Sequence, residues 1–292
     1  MPEYRARFIV PYFGRWPIWF PAFLVSCEKN SQFEWLILTD LDPQQGPANV
    51  RYVQTTFTDF LNRFAQALKC KVQKDFYSIC DLRPAFGYVL RDLLEDVEFW
   101  GHADIDVIWG RLDIFLGADN LRQFDILSSR RSALAGHCTI YRNVDRVNLL
   151  FEEIPRFRDY LACPRLCRLN ESYMAQILRR RKDIHVLWHA QYVVDQRELD
   201  RRPYSWRWEN GLILDEWDVE RAYLHFARWK KSAKMIDFDW STAPRKFVIT
   251  PRGFCAGSAP SLLDKCRIPP PALLYRRFYD RIRFVLTGRG RL

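Results

Sequence analysis

Phe99-Trp100-Gly101-His102-Ala103-Asp104-Ile105-Asp106-Val107-Ile108-Trp109-Gly110 places two acidic residues, one position apart, inside an apolar and β-prone run. Read as one strand, the run turns Asp104 and Asp106 to the same face and Ile105 to the other. Two carboxylates in apolar surroundings repel each other and lose hydration unless a cation or hydrogen-bond donors compensate them. A hard divalent metal does this and can hold a phosphate as well, because such ions prefer carboxylate and phosphate oxygens. An Asp-x-Asp pair also occurs in solvated turns. The flanks Val97-Glu98-Phe99-Trp100 and Val107-Ile108-Trp109 favour the metal reading over the turn.

Outward from this run, strands alternate with helices. Arg7–Pro11, Trp35–Thr39 and Val50–Val53 read as strands, and Trp16–Glu28 reads as a helix with Trp19, Phe20, Phe23 and Leu24 on its apolar face. Thr58–Leu68 and Arg83–Leu94 have helical periodicity, the second with proline in its first turn. The β-α-β-β-α-α-β order predicts an α/β fold, an open and mainly parallel sheet flanked by helices. Ligands of such sheets bind beyond the carboxyl ends of the strands. Tyr12-Phe13-Gly14, Asp40 and the Asp104/Asp106 pair all fall at such ends.

Further along, Asp125–Ser128, Cys138–Tyr141 and Ile184–Leu187 read as strands, and Val147–Glu153 as a helix. Asn170 is positioned to cap a helix over Glu171–Arg180. Tyr204–Leu214 reads as a hairpin turning at Asn210-Gly211, followed by a strand Arg221–Ala227 that carries His225. After Lys231 the pattern weakens. The domain expectation is therefore 1–231 for the main unit and 232–292 for a C-terminal extension.

The composition belongs to a folded globule: 292 residues, 48% of them hydrophobic, with 11 Trp and 21 Phe. No apolar run is long enough for a transmembrane helix, and the N-terminus predicts no secretory signal. The eight cysteines include one close pair, Cys163 and Cys167, and no second pair completes a four-ligand zinc pattern. They read as thiols in a reducing compartment. A net charge of +10 attracts polyanions, whether nucleic acid, anionic lipid or phosphorylated substrates.

Five segments, in order, carry a resemblance: Ile-Val-Pro-Tyr-Phe-Gly-Arg-Trp-Pro (9–17), Trp-Leu-Ile-Leu-Thr-Asp (35–40), Cys-Asp-Leu-Arg-Pro-Ala-Phe-Gly (80–87), Phe-Trp-Gly-His-Ala-Asp-Ile-Asp (99–106) and Gly-His-Cys-Thr-Ile-Tyr-Arg-Asn (136–143). The series resembles a family of bacterial proteins classed with GT-A glycosyltransferases and associated with surface-polysaccharide or lipopolysaccharide assembly. The resemblance spans about residues 8–231 and is most specific from 80 to 106. It implies a nucleoside-diphosphate sugar as donor, a glycan or lipid-linked acceptor, and Mn²⁺ or Mg²⁺ as cofactor. It implies Asp106 as the main metal ligand, and Asp104 as a second ligand or a ribose contact. His225 would be the third ligand, or else a satisfied or surface histidine. Lys230 would reach a diphosphate oxygen as a point charge.

The remaining site residues follow from the same resemblance. Arg83 would lie near the β-phosphate or pair with Asp104, the alternative being a helix-start arginine bonded to Asp81. Pro11, Tyr12 and Gly14 would wall the nucleotide, and Asp40 would recognise base or ribose or serve as an ordinary cap. His137 would bind donor or acceptor hydroxyls or be satisfied within the core. Glu171 would deprotonate the acceptor hydroxyl or be an ordinary acidic first-turn residue.

The tail from Leu274 spaces Leu274, Phe278, Ile282 and Val285 as one helical face flanked by Arg276, Arg277, Arg281 and Arg283. This pattern suits a basic helix on an anionic membrane, and equally a terminal helix packed on the domain. The resulting expectation is a cytoplasmic protein, peripheral on the inner face of the cytoplasmic membrane. Two other classes compete. A nucleic-acid or other polyanion binder fits the charge, but no recognised binding motif is present, so no nucleic acid is expected as a partner. A metal-dependent phosphoesterase also uses paired aspartates, usually with more ligands and a second ion.

Overall fold

The computed structural model describes residues 4–130, 133–188, 193–194, 206–214, 219–233, 235–236, 244–250 and 252–256. The tail at 274–285 lies outside the described residues. In chain order, β1 (Ala6–Pro11) leads through α1 (Phe20–Glu28) to β2 (Phe33–Thr39) and β3 (Val50–Gln54), and then to α2 (Phe57–Leu68). β4 (Phe99–Ala103) and β5 (Val107–Trp109) follow, then β6 (Ile126–Ser128), β7 (Cys138–Arg142) and β8 (Val186–Trp188).

Seven of these strands form the central sheet, in the order β3-β2-β1-β4-β7-β6-β8. All neighbours are parallel except those of β7, which runs against both β4 and β6. The expected mainly parallel α/β sheet is present. Its two faces follow the strand period of two. Ile9, Leu36 and Leu38 pack with Phe60, Phe64, Leu82 and Phe86 on one side. Phe8, Val10, Trp35 and Ile37 pack with Phe23, Trp109 and Tyr223 on the other. Each fully buried aromatic of this kind contributes about 1.5–3 kcal/mol of transfer free energy. Thr56 caps α2 by accepting the Asp59 amide at 3.0 Å, which sets the start of α2 one residue before the expected one.

The remaining strands are β9 (Val193–Val194), β10 (Trp206–Glu209), β11 (Leu212–Leu214), β12 (Glu220–Arg221), β13 (Tyr223–His225), β14 (Met235–Ile236), β15 (Lys246–Thr250) and β16 (Gly253–Ala256). β5, β13 and β9 make a small sheet against the central one, and the others make a six-stranded sheet in the order β12-β11-β10-β15-β16-β14. The Asn210-Gly211 hairpin is as expected: both residues have positive φ, 49° and 93°, as a type I′ turn requires. The six-stranded sheet joins strands from both sides of residue 231, where the sequence places the start of an extension. No helix among the described residues is long and apolar enough to cross a membrane.

Four local expectations need correction. The run 99–110 is not one strand: β4 ends at Ala103, the chain bends through Ile105-Asp106, and β5 joins a different sheet. Residues 83–94 do not form one helix. A 3-10 segment begins at Ser78 and holds Pro84 inside it, followed by a short helical turn, Phe86–Val89, and a second 3-10 turn, Arg91–Leu93. Proline lacks the amide that a continuous α-helix would use there. Asn170 is not a cap: Arg168 adopts a left-handed conformation (φ 61°), and Leu169–Tyr173 forms a π-helical turn before the helix Met174–Leu178. α1 starts at Phe20 rather than Trp16, with Pro21 in its first turn.

Candidate metal and substrate site

The bend after β4 sits at the carboxyl end of a central parallel strand. Asp104 continues the ladder for one more bond, its amide donating to the His137 carbonyl at 3.0 Å. Asp106 then turns to the neighbouring sheet, where β5 and β13 pair antiparallel with His225 opposite Val107. The Phe226 amide donates to the Asp106 carbonyl at 3.1 Å, closing that register. Backbone pairing thus brings a histidine from residue 225 beside carboxylates at 104 and 106. One ligand atom from each of the three side chains lies within 4.8 Å of the other two.

Two cations back this group. Lys230 Nζ donates to Asp106 Oδ2 at 2.9 Å, and Arg83 donates to Asp104 Oδ1 and to the Gly136 carbonyl. Arg83 therefore does not bond to Asp81. Burial opposes ionisation of Asp106, but His225 and Lys230 beside it prevail and hold its carboxyl well below the usual range. Burial likewise opposes the charge on Lys230, and Asp106 outweighs it, so the ammonium is held above its ordinary value. Both groups are charged at neutral pH.

The donor set fits a hard divalent ion. His225 is buried, and neither ring nitrogen has a hydrogen-bond partner among the described residues. Its Nε2 stands 3.6 Å from Asp106 Oδ1 and 3.9 Å from Asp104 Oδ2. A buried, unpaired imidazole nitrogen costs about 1–3 kcal/mol, a cost that coordination to an ion between these groups would remove. Two carboxylate oxygens with one imidazole nitrogen suit Mn²⁺ or Mg²⁺ better than a thiolate-preferring metal.

A cleft opens from this group and reaches Glu171, His137, Arg130 and Arg168. His137 stacks on His225 with ring centroids 4.0 Å apart, and its Nε2 lies 3.0 Å from the Tyr223 hydroxyl, which donates to Ser129. Burial first, and then the positive charge of Arg130, push the His137 pKa well down, which favours the neutral ring. Glu171 pairs with Arg130 at 3.2 Å. Gly136 leaves room for that carboxylate, because a Cβ there would stand 2.5 Å from Glu171 Oε1. Cys80 also lines the cleft, but burial pushes its thiol up to about 11, which rules out a resting thiolate nucleophile.

Of the expected nucleotide wall, Pro11 closes β1 and Gly14 follows in a left-handed conformation (φ 107°). Tyr12 is half-buried, stacks on Trp16 and senses the charges of Lys230 and Asp106. Asp40 is exposed at the end of β2, and none of these four residues lines the cleft itself.

Sequence reasoning missed the far wall. There Lys74 and Asp81 form an ion pair of 2.8 Å with both side chains fully buried. Asp81 accepts the Cys167 amide at 2.7 Å and the Leu169 amide at 3.0 Å, and Lys74 donates to the Arg165 carbonyl at 2.9 Å. One buried pair therefore pins the loop on both sides of Arg168. Only the isolated acid in Cys80-Asp81-Leu82 hinted at it.

Residues 8–258 match the model of a family described as a family of unknown function, DUF6625. No curated protein matches the chain. Among solved structures, the chain is similar to the galactosyltransferase LgtC in complex with donor and acceptor sugar analogues. Identity is 9% and the TM-score 0.42, over 81% of this chain and 99% of that one. It is also similar to mouse xyloside xylosyltransferase 1 in its apo form, at 10% identity and a TM-score of 0.34, over 68% of this chain and 89% of that one. A third is the apo form of the glycosyltransferase GlyE of Streptococcus pneumoniae TIGR4, at 12% identity and a TM-score of 0.40, over 82% of this chain and 62% of that one.

Proposed function

The chain belongs to the DUF6625 family, whose function is unknown, and from its cleft we propose a metal-dependent glycosyltransferase that moves a sugar from a nucleoside-diphosphate sugar to a glycan or lipid-linked acceptor. The observation that carries this reading is the convergence of Asp104, Asp106 and His225, backed by Lys230 and Arg83, at the carboxyl end of β4. Mn²⁺ or Mg²⁺ held there would act as a Lewis acid on the departing diphosphate. Lys230 and Arg83 add fixed positive charge where the leaving group gains negative charge, and fixed charges need no reorganisation at that moment. Pro11, Tyr12 and Gly14 are assigned to the wall of the nucleotide and Asp40 to its ribose or base, on the strength of their position at the carboxyl ends of β1 and β2. On the other side, neutral His137 orients sugar hydroxyls, and Glu171 takes the proton of the acceptor hydroxyl. The described residues hold one three-ligand group, which suits a diphosphate better than the two-ion phosphoesterase reading. Cell-surface polysaccharide assembly, on the inner face of the cytoplasmic membrane, is the setting we assign.

The test is titration calorimetry of nucleoside diphosphates with and without Mn²⁺, on the wild type, Asp106→Asn and His225→Gln. The reading expects one nucleotide to bind only with metal and both variants to lose that dependence. Metal-independent binding, or full binding by a folded Asp106→Asn protein, overturns it.

A further inference from the structure

The charged groups of the cleft pair off with one left over. Arg83 faces Asp104, Lys230 faces Asp106, and Arg130 faces Glu171. Arg168 lines the same cleft, is exposed, and among the described residues has no carboxylate partner. Its position is heavily constrained. The backbone stands at φ 61°, a region that side-chain-bearing residues avoid, and glycine would occupy it without strain. The amides on either side of it, those of Cys167 and Leu169, are both held by Asp81, whose charge is balanced by buried Lys74. A buried ion pair is costly to desolvate, and a strained backbone persists only when its surroundings enforce it. Both costs are borne here at a guanidinium that faces the cleft with no carboxylate partner among the described residues. Two residues on, Asn170 lines the same wall, buried, with its side-chain Nδ2 lacking a hydrogen-bond partner among the described residues.

Given a sugar-transfer site, we propose that Arg168 binds an anionic group, a phosphate or carboxylate, that the sugar substrate carries in addition to the donor diphosphate. A divalent ion with Arg83 and Lys230 already answers the diphosphate. Arg168 is separate from that set, and its planar fork matches two oxygens of one anionic group. The group comes either from the transferred sugar, as a uronate, or from a phosphorylated acceptor.

The test uses Arg168→Gly, which relieves the left-handed strain and so keeps or raises the melting temperature, and Arg168→Lys, which keeps the charge without the fork. Inorganic phosphate is first titrated onto the full chain in EDTA, which requires no nucleotide and no metal. Arg168→Gly is expected to weaken phosphate about tenfold or more, with Arg168→Lys in between. In the presence of Mn²⁺, a preference for UDP-glucuronate over UDP-glucose that Arg168→Gly abolishes places the group on the donor sugar. A preference for glucose 6-phosphate over glucose, with UDP bound, places it on the acceptor. Equal phosphate binding by wild type and Arg168→Gly overturns the proposal. So does loss of UDP–Mn²⁺ binding in Arg168→Gly, because that would make Arg168 part of the diphosphate site. If UDP–Mn²⁺ binding fails in the wild type while the phosphate arm succeeds, it is the transferase reading that falls.

Discussion

Replacing Asp81 by asparagine tests whether the buried pair organises the cleft wall. Asparagine keeps the shape of the side chain but not its charge, so Lys74 loses its carboxylate while both side chains stay fully buried. Removing one partner of a buried ion pair costs about 3–5 kcal/mol. One of the amides of Cys167 and Leu169 also loses its acceptor, since an amide side chain offers one oxygen where the carboxylate offered two. At roughly 2–4 °C per kcal/mol for a chain of this size, the melting temperature should fall by about 6–20 °C. Circular-dichroism melting reads this directly, with Asp119→Asn as control. Asp119 pairs with Arg122 at 3.1 Å, but its side chain is 86% exposed, and such a pair is worth about 0–1 kcal/mol. A loss at Asp81 no larger than at Asp119 would refute the reasoning. The double variant Lys74→Met/Asp81→Leu removes the stranded ammonium and should recover only part of the loss, because it leaves both amides unpaired. It should not recover phosphate binding through Arg168, because neither amide then has the Asp81 acceptor that holds the loop.

Gly136→Ala pushes a methyl toward the Glu171 carboxylate. It should cut sugar transfer as deeply as Glu171→Gln while the melting temperature moves little, since a flexible side-chain end yields easily; undiminished turnover would remove Glu171 from the reaction. Gly211→Ala forces a side chain onto φ 93° and brings its Cβ within 2.9 Å of Lys29 Cβ, so a loss of about 1 kcal/mol or more is expected in urea melts. Burial alone would raise the Asp125 carboxyl, but Arg146, the His185 amide and Arg142 outweigh it, so its folded pKa lies below the ordinary value. Its stabilisation is complete above the unfolded value near 3.9 and is lost as pH falls through the folded one. Asp125→Asn should therefore be less stable at pH 7, by a margin that shrinks below about pH 4 in acid-unfolding series.

The central sheet was legible because its strands obey local rules. Phe8, Trp35 and Ile37 alternate with Ile9, Leu36 and Leu38 in register with the two faces they bury. Asn210-Gly211 announces its turn through backbone conformations that few other residue pairs accept. The segment Arg83–Leu94 was misread as one helix because its apolar spacing is helical, while Pro84 breaks the hydrogen-bond ladder that spacing alone implies. Asn170 was misread for a related reason: its preference for caps is real, but the left-handed Arg168 before it starts the helical turn earlier.

Residue chemistry alone determined that two carboxylates one residue apart inside an apolar run need a cation or hydrogen-bond donors beside them, and that the strands around them form a parallel-rich sheet. Both follow from short-range physics: side-chain period, turn conformation and the cost of burying charge. The tertiary structure decided what surrounds those carboxylates. The chain bends between Asp104 and Asp106 so that one stays with the central sheet and the other meets β13, and that pairing, which sets Val107 opposite a residue 118 positions further along the chain, delivers His225.

 The Asp81 clamp that presents Arg168 likewise joins the Lys74–Asp81 pair to residues 165–169, which lie 86 to 91 positions further along the chain. Contacts of this range depend on how sheets and loops pack against one another, and no local preference of the residues involved encodes them.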